Sequence, residues 1–268
     1  MPLELEQREV VGGDSHEVIY GLTFVQPEGD SVSAYLRRPA VISEGDKLPA
    51  IVLVAGRETG RRAAEVIPGP LESVVLAVEY PEAIPEELSP WRLLRRLPSI
   101  RRSAYRMPGI LMGAADFLTA LPEVDSTRVA LVGVSFGVPF AAAAAKDRVF
   151  RGVALHHGGA DLALLFRTNL PIRNESLRAV VAQLAAWYLR GLDPGRHVGD
   201  IAPVPLLLIN GIYDELVPRR SAELLREAAN EPVRHIWLPH DHLMPDDDEV
   251  MRELADSTLS HFDFLRQP

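Results

Sequence analysis

Six short apolar-rich runs recur from residue 50 onward, at 50–54, 74–78, 129–132, 152–155, 204–209 and 233–238. Runs of this length, rich in β-branched residues, are what strands buried on both faces look like. Between them, helical spacing appears at 60–67, 107–120, 136–146, 219–229 and 247–265. Strand–helix alternation predicts parallel strands joined by right-handed crossovers, with helices on both faces of the sheet. Upstream, 3–11, 16–25 and 31–37 read as an antiparallel start, with the turn Pro27-Glu28-Gly29-Asp30 leading into the third strand. The pattern is that of an α/β protein.

Two segments break the alternation. Residues 85–106 are rich in Pro and Arg. Residues 161–200 are longer than one crossover requires and hold an amphipathic stretch near 175–190. The second predicts a helical excursion, placed to act as a lid, within a single domain spanning all 268 residues.

Composition narrows the function classes. A net charge of −9 argues against nucleic acid or an anionic membrane as the main partner. The absence of cysteine excludes disulfides, thiolate nucleophiles and Cys-based metal sites. The start, Met1-Pro2-Leu3-Glu4, lacks a basic segment and an apolar core, and no stretch nears the roughly eighteen apolar residues of a membrane span. A soluble, cytoplasmic protein is expected, a monomer or homodimer. Gly56 to Gly60 is not a phosphate loop, because the Gly-Lys-Ser/Thr ending is missing. No cofactor and no metal are expected.

The densest chemistry lies where the run 129–132 ends in Gly133-Val134-Ser135-Phe136-Gly137 and an Ala-rich helical stretch begins at once. Strand, G-x-S-x-G turn and helix together are the context of a nucleophile elbow. Glycines on either side let the backbone turn sharply, and the helix start aims free N–H groups at charge developing beside Ser135. The plainer reading is a glycine-rich βα turn with a serine cap. A serine nucleophile needs a base, and the base a carboxylate to orient it. Downstream, the run 204–209 leads into Asn210-Gly211-Ile212-Tyr213-Asp214-Glu215, placing Asp214 just past a strand's C-terminal end, with Glu215 as its neighbour. The last run leads into Leu238-Pro239-His240-Asp241-His242, which offers two histidines. His156 and His157 close a core strand just after the elbow helix and are candidates to line a pocket, as are Phe166 and Trp187. The remaining histidines read as surface or packing residues. A first oxyanion donor is expected at the backbone N–H of Phe136.

With these three features in order, the chain resembles the α/β-hydrolase superfamily, in its dienelactone-hydrolase-like and esterase/peptidase-like branches. The resemblance covers about residue 30 to the C-terminus. It implies a mostly parallel twisted sheet with antiparallel N-terminal strands. Members often end the last strand with a Gly-Gly-His turn, so His240 and Asp241 stand where two glycines are usual and His242 takes the catalytic place, with His240 as the alternative. It also places the second oxyanion donor in the loop after 50–54, at the N–H of Arg57 following Gly56, where the family often has His-Gly for Ala55-Gly56. Dienelactone hydrolases proper use cysteine, which this chain lacks. The resemblance thus implies a serine hydrolase acting on a small-molecule acyl ester through Ser135, His242 and Asp214.

Three other readings stay in view. An acyl-CoA thioesterase would need a phosphate patch, for which the arginines at 92, 95, 96, 101, 102 and 106 are candidates. Small-peptide or amide hydrolysis would use the same three residues. A metal hydrolase built on His240, His242 and the acids at 246–248, or a non-catalytic binding protein of this fold, would be a different class.

Overall fold

The computed structural model describes residues 3–26, 30–69, 71–81, 90–146, 150–244 and 247–266, with backbone alone at 90–94. Its strands are β1 (Glu4–Gly13), β2 (Glu17–Val25), β3 (Ser31–Pro39), β4 (Leu48–Val54), β5 (Val74–Val78), β6 (Val124–Val134), β7 (Gly152–His156), β8 (Leu206–Gly211) and β9 (Val233–Leu238). They form one sheet in the order β1-β2-β3-β5-β4-β6-β7-β8-β9. The first three form an antiparallel meander, and β3 pairs antiparallel with β5. From β5 to β9 every pairing is parallel. All residues of β4 beyond Leu48, and all of β5, β7 and β8, are buried, as their unbroken apolar runs require. The expected turn at 27–30 lies largely outside the described residues.

The helices are α1 (Ala63–Val66), α2 (Pro90–Thr119), α3 (Val138–Ala145), α4 (Leu162–Asn169), α5 (Glu175–Tyr188), α6 (Arg219–Ala228) and α7 (Asp248–His261). One core lies on the face covered by α2, α3 and α6, the other on the face of α1 and α7. Among the described residues no helix is long and apolar enough to cross a membrane.

Two expectations are corrected. The helix read at 107–120 begins at Pro90, so residues 90–106 continue it rather than interrupt the pattern; residues 82–89 lie outside the described ones. Pro98 and Pro108 sit inside this helix and concealed it. Its stripe of Met107, Ile110, Leu111, Ala114, Ala115 and Leu118 is completely buried, and that burial seats the whole element on the sheet. The helix read at 60–67 shrinks to a 3-10 turn at Gly60–Arg62 and one turn of α1. The segment after α1 is held by Arg37, whose buried guanidinium pairs with Glu17 at 2.5 Å and donates to the carbonyls of Ala64, Ile67 and Gly69.

The strand order explains where a site belongs. The chain runs from β4 outward to β5, then crosses back to lay β6 on the other side of β4. The loops leaving β4 and β6 therefore diverge and open a crevice at their C-terminal ends, where α/β sheets bind ligands.

Candidate active site

Ser135 stands at that crevice, one residue past β6, with φ 53. This is left-handed backbone, uncommon for a residue with a Cβ. The flanking glycines are needed for space. A Cβ on Gly137 would lie 2.2 Å from the Val54 carbonyl oxygen, and one on Gly133 would lie 2.5 Å from the Ala141 Cβ. The elbow is thus clamped between the end of β4 and the Ala-rich face of α3.

The Ser135 Oγ lies 2.7 Å from His242 Nε2. On the other side of that ring, Nδ1 is 2.8 Å from Asp214 Oδ2. Serine, histidine and aspartate come from the loops after β6, β9 and β8 and meet in one line. His240 faces elsewhere: its Nε2 is 2.8 Å from Glu253 Oε2 on α7. Glu215, the neighbouring acid, is exposed.

Asp214 is held more tightly than the sequence suggests. Its side chain is 1% exposed, and Oδ2 also accepts a hydrogen bond from Nδ1 of His157 at 2.9 Å. Its other oxygen accepts from the backbone N–H groups of Leu216 and Val217, at 2.9 and 2.8 Å. Burial works to raise this carboxyl's pKa, but hydrogen bonds from His157 and His242 and the charge of His242 hold it well below the carboxylate range. His157, at φ 50, is fully buried in another left-handed turn just past β7. Sequence reasoning marked it only as a pocket residue. The available signal was its place, at the C-terminal end of the strand between those carrying Ser135 and Asp214.

Tyr80 was missed altogether. Its hydroxyl donates to the Ala55 carbonyl, and its ring packs edge-on against Phe136 and Phe140 at 5.3 and 5.7 Å. It ties the loop after β4 to the elbow. Burial and the neighbouring Glu79 charge push this phenol's pKa well above its usual value, so it stays a donor. Glu79 in turn accepts from the N–H groups of Arg61 and Tyr80. Gly60, at φ +48, leaves no room there for a side chain: a Cβ would come within 2.3 Å of that carboxylate.

Ser135, Phe136, Arg57 and His242 border two cavities that meet at the elbow, one of about 720 Å³ and one of about 930 Å³. The smaller runs along the α1/α7 face of the sheet and takes in Gly56, His156 and Phe166. The larger lies toward α2 and α4 and takes in His157, Phe166 and Tyr80. Trp187 lines neither; it is 61% exposed on α5, beside Arg190. Its place in the pocket is therefore corrected: α5 packs on α4 with its Trp187 face turned to solvent. The tip of α4 reaches over the site, where Asn169 donates to the Leu216 carbonyl beside Asp214.

Of the arginines near the start of α2, Arg96 lines the larger cavity, and the side chain of Arg92 lies outside the described residues. Arg106 pairs with Asp30 and Gln26, and Arg101 donates to the Tyr188 carbonyl. Among the described residues, the groups named for a metal set do not gather. Asp247 caps α7 through the Val250 N–H, His240 pairs with Glu253, and Asp246 lies outside the described residues. Among the described residues, one cluster has metal-ligating atoms within 4.8 Å of one another, His157, Asp214 and His242. Those atoms already hydrogen-bond each other.

Sheet order, elbow and crevice define the α/β-hydrolase fold. Solved structures agree with it along nearly the whole chain. An acetyl xylan esterase from Thermoanaerobacterium sp. is 16% identical, with 98% of this chain and 87% of that one covered at a TM-score of 0.67. An acetyl xylan esterase from Paenibacillus sp. is 18% identical over 96% and 89% of the two chains, TM-score 0.66. A hypothetical protein from Pseudomonas aeruginosa is 18% identical over 98% and 99%, TM-score 0.64. No protein-family model and no curated protein sequence matches the chain.

Proposed function

We propose that this chain is a serine hydrolase that cleaves carboxylic esters through an acyl-enzyme. The observation that carries the reading is the continuous line from Ser135 Oγ to His242 Nε2 at 2.7 Å and from His242 Nδ1 to Asp214 Oδ2 at 2.8 Å. Aligned serine, imidazole and carboxylate are the parts of nucleophilic acyl transfer. Several structures of the same fold carry esterase names, which supports the same reading.

In this mechanism His242 Nε2 takes the Ser135 proton as Oγ bonds to the acyl carbon. The backbone N–H groups of Phe136 and Arg57 receive the developing oxyanion. Asp214 stabilises the imidazolium, which then protonates the departing alcohol oxygen as the carbon–oxygen bond breaks. Water, deprotonated by His242, attacks the acyl carbon and releases Ser135 and the carboxylic acid. The excursion at 161–200 acts as a lid, with α4 over the acyl centre.

Turnover of p-nitrophenyl acetate and labelling by a fluorophosphonate test the proposal. Ser135→Ala is expected to lose both, with a fall in kcat of about 10⁴-fold or more. Unchanged turnover in that variant overturns it.

A further inference from the structure

The smaller cavity has a construction that names the substrate. Among the described residues the crossover from β4 to β5 contains only the 3-10 turn at Gly60–Arg62 and one turn of α1, too little to cover this face of the sheet. The C-terminal helix α7 forms the opposite wall, and a space of about 720 Å³ is left between them. Protein interiors are packed to crystal density with few voids larger than a water molecule, so a continuous space of this size is not packing slack. Its floor includes Ile51, Leu53 and Val132, and its roof Met251, Ala255 and Leu259. Ile51 and Leu53 in β4 and Ala55 just past its end alternate onto this face, so the space runs about 13 Å from the level of the elbow.

The polar groups are arranged to match. Arg57 and Glu58, both exposed, stand with Ser135 and His242 where the two cavities join. Within the apolar channel, His156 and Thr258 satisfy one another: Thr258 Oγ1 lies 3.1 Å from His156 Nε2 and donates to the Leu254 carbonyl at 2.8 Å. Burial, reinforced by the neighbouring His157, lowers the His156 pKa to about 3, so no charge faces the channel from that pair at neutral pH. The larger cavity shares Arg57, Glu58, Asn169 and His242 with the smaller and adds Glu79, Arg96, Ser103 and His157.

We propose that the channel between the sheet and α7 binds a linear hydrocarbon tail of the ester, on the order of eight to ten carbons, while the rest of the substrate occupies the cavity beneath α2 and α4. The proposal rests on Ser135 being the nucleophile only in so far as the tail belongs to an ester. The tail can sit on the acyl or the alcohol side of the scissile bond, and two substrate series separate these cases.

The first series is p-nitrophenyl esters from acetate to hexadecanoate; the second is n-alkyl acetates over the same lengths. In one of them kcat/KM is expected to climb by up to about fourfold per added methylene, to a maximum near eight to ten carbons. Ala255→Trp, which fills the channel from α7, is expected to move that maximum to four carbons or fewer. The loss on the decanoyl or decyl ester should exceed that on p-nitrophenyl acetate by more than about tenfold. Ala255→Leu is the milder variant if tryptophan prevents folding. Sodium decanoate binding to the Ser135→Ala protein, followed by calorimetry, gives a readout independent of turnover and should weaken at least tenfold on adding Ala255→Trp. A best substrate of two carbons in both series, or a profile that Ala255→Trp leaves unmoved, overturns the channel assignment. Decanoate binding lost on filling the channel, in a protein whose Ser135→Ala form still turns over esters, leaves the channel standing and removes the nucleophile.

Discussion

His157→Leu removes one of the four hydrogen bonds accepted by the buried Asp214 carboxylate. Hydrogen bonds to a charged group contribute about 1.5–3 kcal/mol each. Histidine already carries a Cβ at φ 50, so leucine there adds no comparable backbone strain. The variant should therefore lose about 1.5–3 kcal/mol of unfolding free energy at neutral pH. His157→Asn is the control. Its amide offers an N–H in place of the Nδ1–H, and asparagine tolerates left-handed backbone, so it should stay within about 1 kcal/mol of the parent.

The loss has a pH signature. Asp214 has its folded pKa held below the ordinary aspartate value of 3.8, so its contribution is complete above that value and is lost as pH falls through it toward the folded pKa. Below 3.8 the difference between parent and His157→Leu should shrink toward zero. Urea unfolding of the three proteins on either side of that value measures it. Equal stability of the Leu and Asn variants at neutral pH would refute the reasoning.

His156 is buried with its pKa lowered from 6.5 to about 3, so between those values the unfolded chain binds the proton and the folded one does not. Stability should drop by up to about 1.4 kcal/mol per pH unit on acidification across that window, and His156→Gln should flatten the slope in thermal unfolding. Gly137→Ala sets a Cβ 2.2 Å from a backbone oxygen that cannot swing away; a loss of at least about 3 kcal/mol in urea unfolding is expected, and a neutral result would mean that the elbow and β4 are not clamped together.

The elements legible in the sequence are those whose cause is local. The runs at 50–54, 74–78 and 152–155 had to be interior strands, since so many apolar side chains in a row leave no face for water. Gly133 and Gly137 announced the elbow because the sharp turn and the close approach of Val54 and Ala141 exclude any side chain there. Asp214 drew notice from its place past a buried strand. Proline misled where burial outweighed it: Pro98 and Pro108 hid the first half of α2, which the buried stripe from Met107 to Leu118 carries along.

Other features depend on which elements become neighbours. His240 and His242 are chemically alike in one turn, and only the packing of that turn brings one ring to Ser135 and Asp214 and the other to Glu253. His157 reaches Asp214 because β7 and β8 pair in the sheet. Trp187 faces water because α5 covers α4 rather than the crevice. The channel has no residue of its own to announce it: it is the space left where a single turn of α1 and the length of α7 fail to close on the sheet. Hydrophobic pattern and backbone sterics act over a few residues and are written in the chain's order, whereas convergence of side chains and empty volume arise only when distant segments pack.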